Sequence, residues 1–322
     1  MATGTAIPGM KSKYASGRLR GGDDVVWGVT FLFAALIVAI TVLLVFELWV
    51  NSAPSRQKFG LGFLSSSLWN PVTNEFGALP FIYGTVVTSF LALLISVPLG
   101  VGAAIYLAEL AAPRLSTVLT FLVELLAAIP SVIFGLIAIF TLVPVMRGYI
   151  GPGLKAALGW TPVFSGPVFG VGYLTAGLIL AIMTFPFIIS VSREALMAVP
   201  RDQREAALAL GATRWESTWQ IVLPFARLGI FGAIFLGLAR ALGETMAVTM
   251  VIGNSPTVRA SLLSPGYTIA SVIANEFTEA NGKYYVSGLV ELGLVLFALT
   301  MAINGLAQLV IVLTAKKGSA KA

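Results

Sequence analysis

Six apolar stretches, at 25–50, 79–110, 115–145, 169–191, 225–252 and 286–314, each exceed the roughly 20 helical residues that cross a hydrocarbon core about 30 Å thick. Hydrocarbon offers no water to backbone amides, so a single stretch can cross only as a helix, which bonds all of its own N–H and C=O groups. The sequence therefore predicts an all-α membrane protein with six transmembrane helices. Composition agrees: 57% of the 322 residues are hydrophobic and 11% are charged, far more apolar surface than one soluble core could bury. The second and third stretches are long for one crossing, and Pro98 and Pro130 are where kinks are expected to absorb the surplus. These runs divide the chain into a tail at 1–24, a first helix and outer loop at 25–78, a membrane body at 79–314 and a second tail at 315–322.

Lys and Arg in the connections set the orientation. Twelve fall on the side that holds both ends of the chain and the segment near 200–215, and six on the other. The richer side is cytoplasmic by the positive-inside bias, so both termini are expected in the cytoplasm. The net charge of +6 reads as membrane orientation, because the basic residues are dispersed and not interleaved with aromatics as a nucleic-acid groove would require.

With no cysteine and no histidine, the chain has no disulfide, thiol nucleophile, Cys or His metal site or His-based catalytic dyad. No cofactor is expected. Residues 4–12 approach a phosphate-cradling loop, but Met10 separates Gly9 from Lys11, Pro8 sits inside it and no strand precedes it. Energy for any transport must come from another subunit or from an ion gradient.

Between the fourth and fifth apolar stretches, 205–224 forms a polar island. The run Glu205-Ala206-Ala207-Leu208-Ala209-Leu210 is a strong helix former behind Pro200 and Asp202, and Gly211 supplies a left-handed stop. A second short helix is expected at about 213–222, with Trp215, Trp219 and Val222 on one face and Pro224 closing it. Small side chains on the first helix would let a partner's groove approach the backbone closely.

Arg240 lies 16 residues beyond Pro224, about 24 Å along a helix. A lone charge that deep costs at least about 2.5–3.5 kcal/mol on insertion. Glu244, one turn on, is expected to share its face and neutralise it. The pair could tie helices together. It could also serve an oxyanion, Arg240 as fixed donor and Glu244 as acceptor of a hydroxyl proton, a division that favours phosphate over sulfate. Glu124 and Glu291 read as protonated or hydrogen-bonded helix contacts, and Glu109 as a span-end group within reach of water. On the outer side, 51–78 reads as a packed loop with Trp69 at headgroup depth, the Gly/Pro-rich 146–168 as irregular, and 268–277 as a short helix.

Glu205-Ala206-Ala207, then Gly211, then Ile221-Val222-Leu223-Pro224, resembles the loop by which permeases of binding-protein-dependent ABC importers dock their ATPase. Two stretches, Trp69 to Thr85 and Arg240 to Asn254, are similar to the phosphate-specific branch of that family, and the resemblance covers about 63–314. It implies the type I importer permease (MetI-like) fold with a cytoplasmic coupling helix, in a bacterial cytoplasmic membrane. Glu205, Ala206, Ala207, Gly211, Ile221, Leu223 and Pro224 would then couple to the ATPase, and Arg240 and Glu244 would lie on the anion path. The implied partners are a second homologous permease, two ATPase copies and an extracytoplasmic phosphate-binding protein. A permease for sulfate or molybdate and an ion-coupled anion carrier are the alternatives, the second having no need of an exposed loop at Glu205.

Overall fold

The computed structural model describes the backbone of residues 20–319 and the side chains of residues 24–309. The near-miss at 4–12 lies outside the described residues. The chain divides into two compact units, 1–50 and 51–322. Helix α1 (Arg20–Asn51) accounts for the described part of the first and is apolar over most of its length, with no Pro to interrupt it. Six helices among the described residues are long and apolar enough to cross a membrane.

The second unit opens on its smallest elements. Helices α2 (Ala53–Phe59) and α3 (Gly62–Ser65) lead to a two-stranded antiparallel hairpin, β1 (Trp69–Asn70) and β2 (Glu75–Phe76), in which Trp69 faces Phe76. Phe63 and Phe76 are buried there in one cluster with Phe81, Tyr267 and Leu289, so 51–78 is a loop packed onto the rest of the unit.

Helix α4 (Leu79–Ile105) continues through a π turn (Tyr106–Leu110) into one span and carries Pro98 inside it. The third stretch differs from expectation. Helix α5 (Pro113–Ala127) stops, and after Pro130 a new helical run begins, made of α6 (Ser131–Ile137), α7 (Val143–Val145) and α8 (Gly151–Leu158) joined by π turns at Ala138–Leu142 and Met146–Ile150. The span is Ser131–Leu158 and not 115–145. Ile129 is the cause: the residue before a proline is crowded out of the helical region, and here the chain breaks where a kink was expected. Much of 146–168 is accordingly helical rather than irregular.

Helix α9 (Tyr173–Met197) is the centre of the body. In its most apolar stretch 61% of residues are buried, against 22–33% in the other spans of the unit. It lies against α4, and the approach depends on Gly177, where a Cβ would come within 2.7 Å of the Leu91 Cβ. Buried hydroxyls along this contact bond their own helices: Thr88 Oγ1 donates to the Gly84 carbonyl at 2.8 Å and Thr184 Oγ1 to the Leu180 carbonyl at 2.9 Å.

Two short helices, α10 (Arg201–Ala209) and α11 (Arg214–Ser217), lead through a π turn (Thr218–Val222) into α12 (Leu223–Gly243). The fifth span is thus Arg214–Gly243, shifted from 225–252. Beyond it come α13 (Met246–Val251), α14 (Ile269–Glu276) and α15 (Lys283–Ser319). Helix α14 starts where expected: Thr268 and Ser271 form a reciprocal capping box. Thr85 Oγ1 of α4 accepts from the Ile269 N–H at 3.0 Å and fixes that start against the body.

Candidate functional site

Helix α10 has no buried residue. Pro200 precedes it in an extended conformation, as its N-cap, and Asp202 sits in the first turn near the exposed N–H groups. Its end is a left-handed stop: Gly211 has φ +89°, its N–H bonds the Leu208 carbonyl at 3.0 Å, and the Ala212 N–H reaches back to Ala207 at 3.1 Å. Glu205, Ala206 and Gly211 are exposed and Ala207 is half-buried, so small side chains leave the backbone approachable beside the exposed Leu208 and Leu210.

A second capping box opens the return limb. Thr213 Oγ1 accepts from the Glu216 N–H at 3.2 Å, and Glu216 Oε2 accepts from the Thr213 N–H at 2.7 Å. Trp215 and Trp219 stack with ring centroids 5.8 Å apart and are exposed, whereas Val222 is fully buried. The three do not share a face. The π turn adds a residue between them and shifts the phase of everything beyond it. Nor does Pro224 close this helix. Ile221 and Leu223 are half-buried and Pro224 exposed, all in a helix that runs on into the membrane span.

What anchors so exposed a hairpin is an ion pair that local sequence does not announce. Arg204 Nη2 donates to Glu109 Oε1 at 2.8 Å and Nε to Oε2 at 3.3 Å. The same guanidinium donates to the Val199 carbonyl at 2.6 Å and the Leu196 carbonyl at 2.7 Å. Leu196 lies in the last turn of α9 and Val199 two residues past its end, where the peptide dipoles favour a cation. Glu109 stands in the π turn that ends the second span, so its role as a free span-end group is corrected.

Arg240 and Glu244 are not on one helical face. Helix α12 ends at Gly243, and Glu244 is extended, with φ −70° and ψ 126°. The two form no ion pair, although they lie one turn apart in sequence. Gly243 is a poor helix former and gives the break its place. Glu244 serves the next element instead: its Oε1 accepts from the Ala247 N–H at 3.3 Å, at the open start of α13. Arg240 is exposed, with its guanidinium 5.9 Å from the Phe187 ring centroid and no acceptor among the described residues. Mutual neutralisation, the sequence expectation, therefore gives way to two separately presented groups. Of the other acidic residues, Glu291 is buried in α15 with Oε2 lacking a hydrogen-bond partner, and Glu124 is exposed on α5.

At the opposite end of the body, Trp69 Nε1 and Tyr285 Oη both donate to Glu276 Oε2 at 2.8 Å, tying the β hairpin to α14 and α15. Nearby, burial pushes the Tyr267 phenol up to about 12, and its oxygen accepts from Asn275 Nδ2 at 3.0 Å.

Residues 96–314 match the family of binding-protein-dependent transport system inner membrane components. A phosphate transport system permease protein PstC from Xylella fastidiosa is 46% identical over 293 residues, covering 90% of each chain. The protein of the same name from Pasteurella multocida is 47% identical over 290 residues, 89% of each. Among solved structures, a bacterial ABC transporter involved in the import of alginate superimposes with a TM-score of 0.55 at 17% identity, covering 90% of this chain and 98% of that one. That last likeness is one of fold.

Proposed function

The chain belongs to the inner membrane components of binding-protein-dependent transport systems and, among them, to the PstC phosphate permeases, and on that premise we propose that it forms half of the path by which inorganic phosphate enters a cell. It is a multi-pass membrane subunit of an ABC importer, and ATP hydrolysis belongs to a partner ATPase. The other half of the path is a homologous (PstA-like) permease. Two ATPase copies (PstB-like) work from the cytoplasm and a phosphate-binding protein (PstS-like) delivers from outside a bacterial cytoplasmic membrane, with both termini of this chain inside.

Arg240 is the observation that carries the phosphate reading. A guanidinium about 24 Å along a span from Pro224 is exposed and has no acceptor among the described residues. Its planar fork of N–H donors suits an oxyanion. Glu244, held apart from it by the helix break, keeps one oxygen for the hydroxyl that phosphate bears at neutral pH and sulfate lacks. Glu205, Ala206, Ala207 and Gly211 offer the approachable stretch on which the ATPase seats, and Ile221, Leu223 and Pro224 join that stretch to the fifth span.

Reconstitution with the ATPase and the binding protein tests this. Labelled phosphate should enter vesicles only with ATP, and excess sulfate should leave the rate unchanged. Uptake that runs without ATP on an ion gradient, or that sulfate competes away, would overturn the reading.

A further inference from the structure

An exposed helix can transmit force only through whatever fastens it to the body. Helix α10 buries no side chain, so apolar packing does not fasten it. Its connections to its neighbours are short, and the side chain that reaches inward from it is Arg204, which is half-buried beside the exposed Glu205.

Four hydrogen bonds leave that one guanidinium, and they reach two different spans. Two go to the carboxylate of Glu109, at the end of the span Leu79–Leu110, one to the Leu196 carbonyl in the last turn of α9, and one to the Val199 carbonyl just past that helix. Helices α4 and α9 are the pair whose close contact forms the middle of the body. Arg204 is rigid in this setting because both oxygens of Glu109 and both carbonyls are engaged at once. Bidentate Arg–carboxylate geometry fixes orientation as well as distance, which a lysine cannot do.

We infer that Arg204 and Glu109 are the link through which displacement of α10 is passed to the α4 and α9 pair. This rests on the importer reading above. Glu205 and the alanine ridge face the partner while Arg204, one position earlier on the helix, faces the body, so load taken up on one side of α10 leaves by the other. The two are positioning residues: neither touches the transported anion nor the nucleotide.

The test separates transport from hydrolysis in the reconstituted complex. R204Q is expected to assemble with its partners and hydrolyse ATP, while phosphate imported per ATP falls at least fivefold. E109Q should behave likewise, and R204K should restore no more than part of the ratio, since it keeps the charge and loses the fork. A purely structural role would lower hydrolysis and uptake together, in proportion to the amount of complex. An unchanged ratio in R204Q and E109Q overturns the inference, as does failure of both variants to assemble. If wild-type complex shows no ATP-dependent phosphate uptake, the importer reading fails instead, and the two failures are distinguished.

Discussion

The indole N–H of Trp69 donates to Glu276 Oε2 at 2.8 Å across 207 positions of sequence, and the Tyr285 hydroxyl reaches the same oxygen at the same distance. One carboxylate thus gathers the β hairpin, α14 and α15. Hydrogen bonds to charged groups contribute about 1.5–3 kcal/mol when they replace solvent, and this site is only half-buried, which puts each bond toward the lower figure. W69F and Y285F should each lower the melting midpoint of the detergent-solubilised protein. The double variant should fall by more than the two together, because either donor alone still satisfies the shared oxygen. An unshifted midpoint in the double variant would show that water serves Glu276 equally well.

Arg240 and Glu244 carry the second prediction. R240Q is expected to abolish phosphate uptake with the complex still assembled, since among the described residues Arg240 makes no ion pair that removal would break. E244Q should reduce phosphate uptake strongly and lower discrimination against sulfate. Because Glu244 also bonds the start of α13, assembly has to be measured alongside. Near-normal uptake by both variants would remove the pair from the anion path.

The alanine ridge predicts an effect of bulk alone. Ala206 is exposed, so A206W should fold and insert as the native chain does. Retention of the ATPase during co-purification should drop at least tenfold. Full retention would mean that the partner seats elsewhere.

Orientation is open to a direct chemical test, because the chain has no cysteine and an introduced thiol is the only one. Ala209 on α10 and Glu279 beyond α14 are both exposed. A membrane-impermeant maleimide should label E279C in intact cells and A209C only after permeabilisation. The reverse pattern would place α10 outside and end the proposed coupling.

Much of the fold was legible because length and apolarity suffice to find a membrane span, and because local capping chemistry is written in neighbouring residues. Gly211 as a left-handed stop and Thr268 at the start of α14 are of that kind. What was not legible depended on competition between neighbours or on distance. Ile129 before Pro130 converts an expected kink into a break, and Gly243 ends α12 before Glu244 can complete a turn with Arg240. Glu109 and Arg204 are 95 residues apart and meet only in the folded chain. Each looks ordinary in its own surroundings, one a charge at a span end and the other a charge in a loop.

The widened turn at Thr218–Val222 has a mechanical corollary. A proline within a helix lacks the N–H that its ladder needs and crowds the carbonyl four residues back. Here Pro224 is taken up just past the turn, and the helix from Arg214 to Gly243 continues without interruption. Over its 30 residues that rod is about 45 Å long. Torque applied at the tryptophan end would reach Arg240 along one helix that carries both of its irregularities, the widened turn and the proline, near its start.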